Sequence, residues 1–177
     1  DGWGEGRHVI SATVDGQQIA ERTVLVDSSD PTGETFAITG QTGGVVEGAT
    51  TYLNAGDTVS VTVTMSEEVV VDTTSGVPTL KIDIGGTQVD ATYVSGSSSK
   101  DLVFTYTIQS GQTAAGGIAI VAGSLTLNGA TIKDFAQNDA VVAHSGVDAN
   151  TAYVVDTMVG SLTAALAQDT GTSDSDK

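Results

Sequence analysis

The chain has 177 residues, of which 6 are basic and 22 are acidic, so its formal net charge at pH 7 is −16. Such a surface repels phosphate backbones and anionic lipid, so nucleic acid is not an expected partner. The absence of cysteine excludes a disulfide framework and a cysteine-based zinc site. No apolar run approaches the roughly 20 residues of a membrane span, and no signal peptide is recognisable at the start, so we expect no membrane insertion.

The first part of the chain predicts a β-hairpin. Residues 8–14 and 19–26 have strand character and flank Asp15-Gly16, a dipeptide typical of tight hairpin turns. An isolated hairpin is only marginally stable in water, so this one needs a partner. We therefore interpret residues 1–26 as the C-terminal hairpin of a preceding, truncated unit. The sequence leaves open whether the hairpin packs on the central domain, on residues 162–167 or on another chain.

The central part shows the alternation of apolar and polar residues that is typical of half-buried strands. It is clearest in residues 57–65, where Val59, Val61, Val63 and Met65 share one face. Further strand-like runs occupy residues 80–84, 89–93, 102–108, 118–121, 125–127 and 151–155. These runs give about seven strands between Thr35 and Val155. Only residues 133–140 and 162–168 hint at helix, and both are short.

Many short strands without intervening helices predict an all-β fold, an antiparallel immunoglobulin-like β-sandwich with Greek-key topology. We assign the complete sandwich to residues 27–156. Residues 157–177 then form a linker and the start of a following unit. Val26-Asp27 and Val155-Asp156 each end a strand-like run and precede a linker, which suggests a slice of a tandem array.

Oxygen-bearing side chains gather where the predicted units meet. Asp134, Asn138 and Asp139 offer three hard ligands in one loop, and calcium requires six to eight oxygens. Asp27 and Asp30 in the first linker, or Asp156 at the exit, would complete such a site. The acidic end of the chain is either a tail or the calcium loop of the next unit, and its candidates are Asp169, Asp174 and Asp176. The competing interpretation is that these residues only form turns and caps.

Glu67 and Glu68 follow the predicted strand 57–65. Because adjacent strand residues point to opposite faces, at most one of them reaches a given ion. A glycosidase carboxylate pair is not favoured, since no aromatic-rich cleft accompanies them. His8 and His144 show no zinc or nucleophile spacing, so we expect no enzyme activity.

Four segments carry a family resemblance. They are residues 55–69 (AGDTVSVTVTMSEEV), 91–96 (ATYVSG), 102–108 (LVFTYTI) and 127–139 (LNGATIKDFAQND). The chain resembles the bacterial immunoglobulin-like repeats of very large secreted adhesins, including those exported by type I secretion and used in biofilm formation. The resemblance implies an extracellular or cell-surface location, calcium at unit junctions, and neighbouring units of the same polypeptide as partners, with a host or biofilm surface ligand as a further one.

The expected function is thus a structural and adhesive repeat that calcium stiffens at its joints. Two alternatives remain open in the sequence. One is a filament subunit that completes the sheet of a neighbouring molecule by strand addition through residues 6–26. The other is a carbohydrate-binding accessory domain that uses Trp3 or Tyr52.

Overall fold

The computed structural model describes residues 4–158, which fold into β-strands without any helix in this part of the chain. The strands are β1 (Gly6–Val14), β2 (Gln17–Val26), β3 (Gly33–Thr42), β4 (Val45–Glu47), β5 (Thr50–Leu53), β6 (Thr58–Asp72), β7 (Thr79–Ile84), β8 (Thr87–Ser95), β9 (Ser99–Thr107), β10 (Thr113–Ala114), β11 (Ile118–Ile120), β12 (Thr131–Lys133), β13 (Val147–Asn150) and β14 (Tyr153–Asp156). The all-β prediction is confirmed. The helical turn predicted for residues 133–140 is wrong, because an antiparallel bridge between Lys133 and Asp139 closes a tight loop there. The helix hint at residues 162–168 lies outside the described residues.

The predicted N-terminal hairpin is confirmed. Strands β1 and β2 pair antiparallel, with Val14 opposite Gln17 across a two-residue turn. Asp15 and Gly16 both have positive φ, 49° and 78°, as a turn matched to the right-handed twist of a hairpin requires. Every residue of β2 before Val26 is exposed, so the hairpin projects from the domain instead of joining its core.

A large antiparallel sheet forms the frame of the central domain. Its strands follow the order β12-β6-β9-β8-β7-β11-β13, and β3 also pairs with β6, along a different stretch of that strand from β12. Strand β13 also contacts β3, so the sheet curls into a nearly closed, barrel-like form. A smaller sheet has the order β10-β14-β5-β4, in which β14 and β5 run parallel.

The buried core contains side chains from both sheets. The predicted alternation on β6 is confirmed, since Val59, Val61, Val63 and Met65 are 0–1% exposed. Phe104 on β9 is the largest fully buried side chain that packs with them.

On the periphery, the His144 ring stacks on Phe36 at 4.1 Å and accepts hydrogen bonds from the backbone N–H groups of Ser124 and Leu125. This places His144 in a packing role.

The chain enters and leaves the domain at opposite ends. On entry, Thr32 and Ser66 exchange hydrogen bonds, with the Ser66 N–H donating to the Thr32 carbonyl at 2.8 Å. At the exit, the Thr157 hydroxyl donates to the Gln112 carbonyl at 2.9 Å. Gln112 follows β9, which ends opposite Thr58 at the start of β6. Since β6 rises about 3.3 Å per residue, its stretch from Ser66 to Thr58 spans roughly 26 Å.

Candidate metal centre

Three carboxylates converge where the linker meets the domain. They belong to Asp27, Glu67 and Asp134, and one oxygen from each lies within 4.8 Å of the others. Asp134 is 1% exposed, and the other two are half-buried. Three separate segments of the chain therefore supply one acidic site that could hold a metal ion. Within residues 4–158 this is the only such group of acidic, histidine or cysteine ligands.

Asp27 is the first residue after β2, so it belongs to the linker between the hairpin and the domain. Its Oδ1 accepts a hydrogen bond from the Ser29 N–H at 3.1 Å, which bends the chain immediately after the strand. Four residues further on, Pro31 is buried and its carbonyl accepts a hydrogen bond from the Val141 N–H at 2.8 Å. The linker is thus fixed to the domain soon after it passes the site.

Glu67 lies inside β6, which continues to Asp72 and does not end at Met65 as predicted. It occupies the row between the buried side chains of Met65 and Val69, where the alternation would place another apolar residue. The pairing of β6 with β9 shifts register between Thr64 and Val69. Such an irregularity interrupts the regular pairing of β6 with β9 next to Glu67. Of the two adjacent glutamates, Glu67 reaches the site, whereas Glu68 is exposed and lies outside it.

Asp134 directly follows β12, which pairs with the end of β6 and so carries the loop to the site. Its two carboxylate oxygens accept hydrogen bonds from Asn138: the backbone N–H donates to Oδ1 at 2.8 Å, and the side-chain Nδ2 donates to Oδ2 at 2.7 Å. The same Nδ2 donates to the backbone carbonyl of Asp27 at 3.0 Å. Asn138 therefore joins the loop to the linker.

The electrostatics of the site favour a cation. Burial raises the pKa of Glu67 above its ordinary value, and the neighbouring charges of Asp27 and Asp134 raise it further, while Lys100 opposes them. The ion pairs of residues 4–158 are Lys81–Asp90 and Lys133–Asp139, and neither involves the three carboxylates. Buried carboxylates are costly without an opposite charge. The donor set is made of hard oxygens, which suit magnesium, calcium or manganese.

The other predicted ligands lie elsewhere. Asp30 is exposed and outside the site, and Asp139 pairs with Lys133 at 2.7 Å. Asp156 lies at the opposite end of the domain, where its Oδ1 accepts a hydrogen bond from the Met158 N–H. Three further candidates, Asp169, Asp174 and Asp176, lie outside the described residues. So does Trp3, whereas Tyr52 lies on β5 with 42% of its surface exposed.

Comparison of the chain with models of protein families, with curated proteins and with solved structures gave no significant match. None of the described residues form a helix with the length and hydrophobicity that a membrane crossing requires.

Proposed function

We propose that this chain is a structural and adhesive repeat of a large extracellular bacterial protein, in which calcium at the joint between units restricts bending. The observation that carries the proposal is that Asp27, on the linker, meets Glu67 and Asp134 of the domain. An ion bound by both sides of a joint opposes their separation. The mechanism is mechanical, and no catalytic step is assigned to the protein.

The chemistry of the donors supports calcium as the ion. Calcium takes six to eight oxygens and tolerates irregular geometry, and it accepts carboxylates in bidentate or monodentate form together with backbone carbonyls and water. Magnesium demands a near-ideal octahedron and keeps several of its waters. Three carboxylates from three different segments, in a chain of net charge −16, suit the more permissive ion.

The positions at which the chain enters and leaves the domain support a tandem array of units. The linker enters at the Ser66 end of β6, and the chain leaves beside Gln112 at the other end, so successive units would lie in line. The two Val-Asp pairs also have matching local structure, since Asp27 and Asp156 each accept a hydrogen bond from the backbone N–H two residues later. In this proposal each unit is an immunoglobulin-like sandwich with Greek-key connections, and the hairpin β1–β2 ends the unit before it.

Strand addition between molecules is the second candidate, and exposed apolar side chains on the hairpin favour it. Ile19 is 64% exposed and Val9 is 59% exposed. A receiving edge is needed, and the long strands β6, β7, β8 and β9 are each paired on both sides. The edge strand β4 has only three residues, whereas β3 has ten and pairs only with β6, so β3 is the candidate receiving edge. Deleting residues 1–26 should abolish polymerisation if this alternative holds, and a protein that is monomeric before and after deletion would count against it.

A calcium titration tests the preferred function. Calorimetry should give a binding heat, and calcium at 100 times its dissociation constant should add about 2.7 kcal/mol to the free energy of unfolding. Small-angle scattering should show a narrower range of hairpin orientations with calcium than with chelator. Asp27→Asn should weaken these effects, whereas Asp30→Asn, in the same linker, serves as the matched control. Absence of a binding heat, with melting temperature and scattering unchanged by chelation, would refute the proposal.

A further inference from the structure

We infer that Asn138 is a positioning residue that ties the linker to the domain, whether or not a cation is bound. Only the role of Asn138 in a tandem array rests on the proposed function. The side-chain nitrogen of Asn138 donates to the backbone carbonyl of Asp27 at 3.0 Å and to Oδ2 of Asp134 at 2.7 Å. The two acceptors lie on opposite sides of the joint, 111 and 4 residues away in the sequence.

The orientation of the amide follows from its partners. A carbonyl oxygen and a carboxylate oxygen only accept hydrogen bonds, so the group facing both must be the NH₂ end of the amide. That end cannot ligate a cation. The sequence predicted Asn138 as an oxygen ligand of the site, whereas the geometry points to a residue that holds a ligand, Asp134, and the linker in place. Hydrogen bonds to a carboxylate are shorter and stronger than neutral ones, which suits such a role.

The remaining contacts of the linker show how the hydrogen bond from Asn138 to Asp27 could fix the orientation of the hairpin. Toward the hairpin, the Ser28 N–H and hydroxyl donate to the carboxylate of Glu5 at the base of β1. Toward the domain, the linker is fixed from Pro31 onward. Residues 29 and 30 therefore lie between two anchored segments. Asn138 bonds across this gap, from the domain to Asp27 on the hairpin side, so its loss should let the hairpin change its orientation to the domain.

Distance measurements between the hairpin and the domain test this inference. The chain contains no cysteine, so Ser11→Cys and Ser95→Cys at two exposed positions give clean sites for paired spin labels. In chelator, Asn138→Ala should broaden the distance distribution relative to the parent protein. Gln137→Ala, at the exposed neighbour in the same loop, should leave it unchanged. Should the alanine variant fail to fold, Asn138→Ser replaces it, because its hydroxyl still suits Asp134 but is too short to span both partners.

Calcium binding gives a second readout, because loss of an outer-shell partner of a metal ligand lowers metal affinity by about 10–100-fold. A distribution in chelator that is unchanged in the folded Asn138 variants would overturn the inference. If the parent protein binds no calcium but Asn138→Ala still broadens the distance distribution, the positioning role of Asn138 is supported and the proposed calcium function is refuted. The two proposals can therefore fail separately.

Discussion

The hairpin β1–β2 and the strand β6 both contain many apolar strand-forming residues, but they differ in what covers these residues. On β6 the apolar row, exemplified by Val61 and Val63, is fully buried. On the hairpin, Ile19 and Leu25 remain 64% and 55% exposed. Apolar strand-forming residues therefore predict that a segment forms a strand, but they do not tell which surface the strand will contact. A hairpin this exposed needs an apolar partner for independent stability.

Truncation of one large apolar side chain in each region tests this difference most strongly. Phe104→Ala should lower the free energy of unfolding by about 3–5 kcal/mol, because it opens a cavity in a fully packed core. The matched change Ile19→Ala on the hairpin should alter it by no more than about 0.5 kcal/mol. Urea denaturation in chelator measures both. Equal losses would mean that the hairpin is packed as tightly as the core.

A change at the acidic site tests whether the two regions are joined by a cation. Glu67→Gln removes one charge and should weaken calcium binding by at least about tenfold. Loss of an outer-shell partner alone lowers metal affinity by about 10–100-fold, and Glu67 is proposed as a direct ligand. Isothermal calorimetry measures the affinity. Glu68→Gln, at the exposed neighbour, is the control and should bind as the parent protein does. Equal affinities for the Glu67 and Glu68 variants would remove Glu67 from the site.

The pH dependence of stability also tests whether Glu67 belongs to the acidic site. The pKa of Glu67 is raised above its ordinary value of 4.5 by burial and then by Asp27 and Asp134. The folded protein therefore holds this proton more tightly than the unfolded chain does. The resulting stabilisation is fully present below pH 4.5 and is lost as the pH rises through the raised pKa.

In chelator, the melting temperature of the parent protein should therefore fall relative to that of Glu67→Gln as the pH rises from 4.5 toward neutrality. Parallel thermal melts of the two proteins across this range provide the measurement. Calcium should reverse the trend at neutral pH in the parent protein, because the ion then replaces the proton. A constant difference between the two proteins at every pH would show that Glu67 does not titrate as its surroundings require.

Much of the fold could be predicted from local sequence. Asp15-Gly16 specifies a turn whose backbone only a few residue types adopt, and the run from Val59 to Met65 has enough alternations to identify a strand. Short strands such as β10, with two residues, contain too few alternations to be recognised. For this reason the sequence predicted about seven strands, whereas twelve lie between Gly33 and Asp156. The parallel pairing of β14 with β5 depends on long-range packing that no local pattern records.

The site was predictable only in part. Asp27 and Asp134 were identified because aspartates at the ends of strands near a junction are typical of cation sites. The choice between Glu67 and Glu68 was open, because the predicted strand ended at Met65, whereas β6 continues to Asp72 and keeps Glu67 in the row of Met65 and Val69. One signal was present: Glu67 interrupts an otherwise apolar row between Met65 and Val69. An acidic residue in a row of core residues is costly unless something pairs with it.

The smallest expected effect concerns Asp139, which lies in the same loop as Asp134 but faces solvent. Its carboxylate pairs with Lys133 at 2.7 Å and its side chain is 78% exposed. Because exposed ion pairs contribute little, Asp139→Asn should lower the free energy of unfolding by roughly 0.2–1 kcal/mol. Calcium affinity should be unchanged, since Asp139 is absent from the group of converging carboxylates. Calorimetry decides the matter: a loss of affinity as large as that of Glu67→Gln would make Asp139 a ligand, as the sequence predicted, and would mean that the loop rearranges around the ion.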